Sequence, residues 1–155
     1  MKQLWWKLPG IALVLFSIIY GLIMPVPALV VLNETIRNVF YHVPMWFAMI
    51  ALLTGSAGFS IAYLKKPTVR RDVFAEQLTV TAVFLGLLGL LTGMIWARFT
   101  WGTFWTNDPK LNGVAIGMLI YLAYLILRAA IEEPEKKARV SAVFSIFAYP
   151  MLSSS

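Results

Sequence analysis

The sequence predicts an all-α fold, a polytopic bundle of transmembrane helices with four complete spans and an incomplete fifth. Three observations carry this. Of the 155 residues, 60% are hydrophobic and only 13% are charged, whereas a soluble domain has about 25% charged. Uncharged runs of 25, 22 and 20 residues occupy 8–32, 43–64 and 78–97, each close to the roughly 20 residues that cross a hydrocarbon core. The basic residues cluster in the short links between runs, where they set topology. That distribution argues against nucleic acid as a partner despite the net charge of +6, because no basic groove is interleaved with aromatics. With no cysteine and one histidine, the chain can form neither a disulfide nor a thiolate or multi-histidine metal cluster of its own.

Residues 1–155 read as a single integral membrane domain. After Lys2 and Lys7, the first span covers about 8–32. A basic start followed by an apolar run also fits a signal peptide, but no small-x-small cleavage site follows. An uncleaved helix is therefore expected, with Pro25 and Pro27 kinking or ending it near its outer end. The link Asn33–Tyr41 places Ile36, Val39, Phe40 and Val43 at i, i+3, i+4 and i+7. This predicts a short amphipathic helix on the membrane surface, with Asn33 as its N-cap. The second span, 43–64, begins at Val43-Pro44, since proline suits a first helical turn.

The third span covers 76–97 and the fourth 113–131, with Arg128 near enough to its end to snorkel. Residues 132–139 form a charged turn. The fifth span, 140–152, has only 13 residues, about 20 Å of helix against a core of roughly 30 Å, and is expected to be incomplete. Lys65, Lys66, Arg70 and Arg71 in one link, and Lys136, Lys137 and Arg139 in another, outnumber the basic residues of the remaining links. By the positive-inside rule the N-terminus and these two links are cytoplasmic. The 33–41 link and the loop 98–112 then share the outer face. Gly89-x-x-x-Gly93 and Gly113-x-x-x-Gly117 allow close helix approach and argue packing only.

Loop 98–112 is the most unusual part of the chain. Together with Trp96 it holds three of the six tryptophans. On a helix, Trp101, Phe104, Trp105, Asp108 and Asn112 would share one face. Such a face is either an interfacial anchor, as is common for tryptophan, or an aromatic binding platform. Asp108 could cap a helix or pair with Lys110 or Arg98. His42 stands at the outer start of the second span, where the positive end of the helix dipole suits a neutral ring. It could merely hydrogen-bond a carbonyl, or offer a nitrogen to a metal. Trp46, one turn on, is either an anchor or a further aromatic wall. Met24 and Met45 lie near the same face and read as packing residues. There is no P-loop and no plausible nucleophile–base pair or paired intramembrane carboxylates, so a non-enzymatic role is expected.

The skeleton W-G-x-x-W-x-x-D-x-[RK]-L, present as Trp101, Gly102, Trp105, Asp108, Lys110 and Leu111, resembles the WWD signature of the haem-handling proteins of cytochrome c biogenesis, above all the haem exporter protein C family. Phe104 and Asn107 stand where that family often has further tryptophans. Arg37 through His42-Val43-Pro44 resembles the family's first outer-loop motif, whose histidine is an axial haem ligand; that role is carried to His42 alone. The resemblance implies six spans in the full family pattern, with a second ligand histidine beyond the fifth, for which this chain has no counterpart. It implies haem b, held non-covalently and weakly or transiently, with iron on His42. Trp101, Gly102, Phe104, Trp105 and Trp46 would contact the disc, Arg98, Lys110 and Arg37 would meet the propionates, and Asp108 would orient a neighbour. The implied task is to present haem on the periplasmic face of a bacterial inner membrane for a membrane-tethered haem chaperone. The implied partners are the ATP-binding-cassette and membrane subunits of the cytochrome c maturation complex. The rival reading is a cofactor-free structural or permease subunit. The run lengths lead us to expect four full helices and a short fifth, and the resemblance adds His42 facing residues 101–108 across a cavity with no opposing histidine.

Overall fold

The computed structural model describes residue 5 and residues 7–153. The expected place of Lys2 at a cytoplasmic N-terminus lies outside the described residues. Those described form five α-helices and no strand: α1 (Lys7–Ile23), α2 (Val39–Lys65), α3 (Val69–Trp101), α4 (Pro109–Ala130) and α5 (Pro134–Ser153). A 3-10 segment, Asn33–Asn38, runs directly into α2. The stretches Asn33–Lys65, Val69–Trp101 and Pro109–Ala130 are each long and apolar enough to cross a membrane. The molecule is an all-α membrane helix bundle.

Several boundaries differ from the sequence reading, each for a local reason. The first helix stops at Ile23 rather than reaching residue 32. Pro25 and Pro27 supply no backbone N–H to extend it, so the 17-residue α1 is about 26 Å long. The amphipathic segment is 3-10 rather than α, and it shows no side-chain cap; Asn33 sits at positive φ (42°), which asparagine tolerates better than most residues. The second helix starts at Val39, which puts Pro44 in its second turn. Lys66, held extended (φ −146°) by the following proline, ends α2. Thr68 caps α3 by accepting from the Arg71 N–H. The charged turn is mostly the first turns of α5, which opens on Pro134, a favoured first helical residue.

The core is built on the α2–α3 hairpin, with α4 and α5 packed against it. Met49, Leu53, Ala82, Val83, Met118, Tyr121, Ala148 and Leu152 form its centre. Small residues let the helices close up. Gly86 faces the sulfurs of Met49 and Met118, and Gly117 faces Leu152. By contrast α1 stays exposed along its length except at Gly21. There Tyr41 donates to the Ile18 carbonyl (2.9 Å) and Arg37 donates to the carbonyls of Gly21 (3.2 Å) and Met24.

Arg128 does not snorkel. It is 6% exposed and donates to both oxygens of Asp72 (2.8 and 2.7 Å) and to Glu76 (3.1 Å). A guanidinium that finds two carboxylates of α3 within reach loses less by pairing than it would unpaired in an apolar layer. The pairing brings Arg128 of α4 onto Asp72 and Glu76 of α3, which the sequence had not suggested. It fixes the α2–α3 turn and the α4–α5 turn at one end of the bundle. The start of α2, the end of α3 and the start of α4 meet at the other.

Candidate functional site

At that second end lies a cleft of about 500 Å³. Trp46, Trp96 and Trp101 wall it, and His42, Thr100, Asp108 and Lys110 are its polar lining. α2 contributes His42 and Trp46 one turn apart, on one face. α3 contributes Gly89, Gly93, Trp96, Thr100 and Trp101, and α4 opens beneath Asp108.

His42 is held from several sides. Trp46 Nε1 donates to His42 Nε2 at 3.0 Å. His42 Nδ1 lies 3.2 Å from Thr92 Oγ1. Trp46 and Trp96 both meet the imidazole edge-on, with centroids at 5.9 and 6.0 Å and planes at 73° and 74°. The ring rests on Gly93, where any Cβ would come within 2.7 Å of His42 Cε1. Trp46 likewise rests on Gly89, 3.1 Å from where a Cβ would be. The Gly89-x-x-x-Gly93 pair, expected only to pack helices, thus seats the histidine and its tryptophan. Nearby, Asn38 Nδ2 donates to the Thr92 carbonyl at 3.0 Å, tying the 3-10 segment to α3.

The tryptophan-rich stretch does not form one helical face. α3 ends at Trp101 because Gly102 adopts a left-handed conformation (φ 78°) and its N–H closes on the Arg98 carbonyl, a common glycine stop. Thr103 and Trp105 then form a local side-chain turn. Asp108 caps α4, accepting from the N–H groups of Lys110 (2.9 Å) and Leu111 (3.2 Å), with Pro109 in the first turn. Of the two roles open to Asp108, capping is therefore the one taken.

The predicted site residues consequently divide. His42, Trp46, Trp101, Asp108 and Lys110 line the cleft. Gly102, Phe104, Trp105, Arg98 and Arg37 do not. Arg98 donates to the Gly102 carbonyl and lies 5.8 Å from the centroid of Phe104, which is 53% exposed. Trp105 donates to Asn112 Oδ1 at 3.2 Å. Arg37 is occupied by Glu34 (2.7 Å) and by the end of α1. Trp96 and Thr92 were missed. Their signal was present, since Gly89, Thr92, Gly93, Trp96 and Thr100 fall on one face of a helix, but it became meaningful only once that face was seen against His42. Trp96 Nε1 is buried and has no hydrogen-bond partner among the described residues.

The family model described as "CcmC: Heme exporter protein C" matches residues 1–151. The chain belongs to the haem exporter protein C family. Haem exporter protein C of Bradyrhizobium diazoefficiens is 32% identical over 116 residues, covering 74% of this chain and 43% of that protein. The Paracoccus denitrificans protein of the same name is 29% identical over 114 residues, covering 74% and 47%. A cytochrome c biogenesis protein CcsA from a Synechococcus species is 32% identical over 85 residues, covering 52% and 28%. The chain thus spans less than half the length of these relatives.

Proposed function

We propose that this chain holds haem at the cleft and takes part in haem handling for cytochrome c biogenesis, without turnover chemistry of its own. The observation that carries the reading is His42, a half-buried ring at a tryptophan-walled cleft, in a chain matched over 1–151 by the family model. The residues fit such a cargo. About 500 Å³ lies within the roughly 300–1,000 Å³ of small-molecule sites. Three indoles offer apolar surface, and Trp96 Nε1–H is a buried donor left over. Lys110 is the cleft cation for an anionic propionate.

Haem supplies an iron that accepts a neutral imidazole nitrogen. The protein's part is to orient His42, exclude water with Trp46 and Trp96, and keep the ring from rotating against Gly93. We assign the cleft end to the outer face of a bacterial inner membrane, because the basic links lie at the opposite end. Delivery to a membrane-tethered haem chaperone beside an ATP-binding-cassette module is the function this supports.

The test is a titration of the purified chain with ferric haem. Wild type should give a shifted Soret band, and His42→Ala should lose most of the shift and at least tenfold in affinity. An identical spectrum and affinity for the variant would overturn the reading in favour of a cofactor-free membrane subunit.

A further inference from the structure

We infer that Thr92 sets the tautomer of His42 and that Trp46 is a displaceable cover on the His42 nitrogen that takes iron. The iron-binding half rests on the haem reading above; the hydrogen-bond arrangement stands without it. An indole N–H can only donate. Because Trp46 Nε1 lies 3.0 Å from His42 Nε2, Nε2 must be the acceptor and carries no proton. The single ring proton is then on Nδ1, which lies against Thr92 Oγ1, and the Gly89 backbone is a further hydrogen-bond partner of the ring. The threonine oxygen is suited to accept the proton, since the Thr92 hydroxyl proton is already committed to the carbonyls of Leu88 (2.9 Å) and Gly89 (3.0 Å) one turn back on α3.

The consequence is a histidine prepared for a metal and covered at the same time. A metal ligand needs its second ring nitrogen tied to an acceptor that fixes tautomer and orientation, which Thr92 does. Gly93 leaves room for the ring, and Trp96 faces it edge-on. The Nε2 lone pair, however, is held by the Trp46 N–H. Iron binding would exchange one N–H···N hydrogen bond for one N–Fe bond, with no proton leaving His42. Trp46 lines the cleft, so its indole borders the space from which a ligand would reach Nε2. The cover lowers affinity and keeps the polar pair satisfied when the cleft is empty, which suits a protein that must release its cargo.

The single histidine makes the test direct. Protein labelled with 15N-histidine gives signals from one imidazole. In haem-free wild type in detergent, Nδ1 should be protonated and Nε2 unprotonated and hydrogen-bonded. Trp46→Phe keeps a ring but removes the donor. It should move Nε2 toward the shift of an unbonded ring nitrogen, and it should tighten ferric haem binding by about 2- to 10-fold, the equivalent of one released hydrogen bond. Thr92→Val should add a population protonated on Nε2 and weaken haem binding. A wild-type signal for protonated Nε2 would overturn the inference, and this measurement needs no variant to fold. Weaker or unchanged haem binding by Trp46→Phe would overturn the covering role and leave Trp46 a wall only. If His42→Ala binds haem as wild type does, the ligand reading fails, while the labelled imidazole still decides the tautomer.

Discussion

His42 packs directly against Gly93. The imidazole occupies space that a methyl group at Gly93 would take. Gly93→Ala therefore forces either the ring or α3 to move, an overpacking cost of about 1–3 kcal/mol. Haem binding should fall with it, because the shift displaces His42 from Thr92. Gly58, also helical but facing open space, is the control. Gly58→Ala should be neutral, or stabilising by up to about 1 kcal/mol through higher helix propensity. Thermal unfolding and haem titration of the two variants would check this; equal behaviour would mean that the close approach at Gly93 does not matter. The place of His42 at the start of α2 was legible in the sequence from Val43-Pro44 beside it. Its partners were not, because Thr92 is fifty residues away and its own helix gives no sign that its hydroxyl faces an imidazole.

The helix ends control how the cleft is shaped. Gly102 stops α3 and Asp108 starts α4, and between them the chain turns Phe104 and Trp105 away from the cleft. Asp108→Ala should cost about 1 kcal/mol through loss of the cap, while Asp108→Asn, which can still cap, should cost much less and leave haem affinity near wild type. Urea unfolding midpoints and haem titrations would separate capping from direct ligand contact: an Asn variant that is stable yet binds poorly would show that the charge itself meets the ligand. At the far end, Arg128 joins α4 to α3. Arg128→Leu leaves Asp72 and Glu76 without their cation and should destabilise the bundle by about 3 kcal/mol, readable as a lowered unfolding temperature. The helical periodicity of the tryptophan stretch misled for a simple reason. Spacing describes a face only while the helix continues, and a glycine able to reach positive φ ends it.

For the whole molecule, both polar turns lie at one end and the histidine cleft at the other. With the orientation proposed here, cysteines introduced as Glu34→Cys and Asn107→Cys should react with an impermeant thiol reagent from the outside. Those introduced as Pro67→Cys and Glu135→Cys should not. The native chain has no cysteine, so labelling has no background, and the reverse pattern would invert the orientation. The arrangement separates two polar features along one bundle. An ion-paired arginine cluster holds α3 and α4 at the basic end, and a cleft between the same helices opens at the other.

The sequence by itself determined that the chain is an all-α membrane bundle, which links share an end, and that His42 and loop 98–112 lie at the same one. Those conclusions follow from runs of apolar residues and from charge placed between them, and the free energy of transferring a segment into a bilayer is nearly a sum over its own residues. Only the tertiary structure decided that Thr92 and Trp96 face His42, that Trp46 covers Nε2, that Arg128 is buried against Asp72 and Glu76, and that Phe104 and Trp105 stand outside the cleft. Each of these depends on how closely and in what register α2, α3 and α4 approach. That register is set by where Gly86, Gly89 and Gly93 let side chains of neighbouring helices lie against the α3 backbone, a property of pairs of helices and not of any one run.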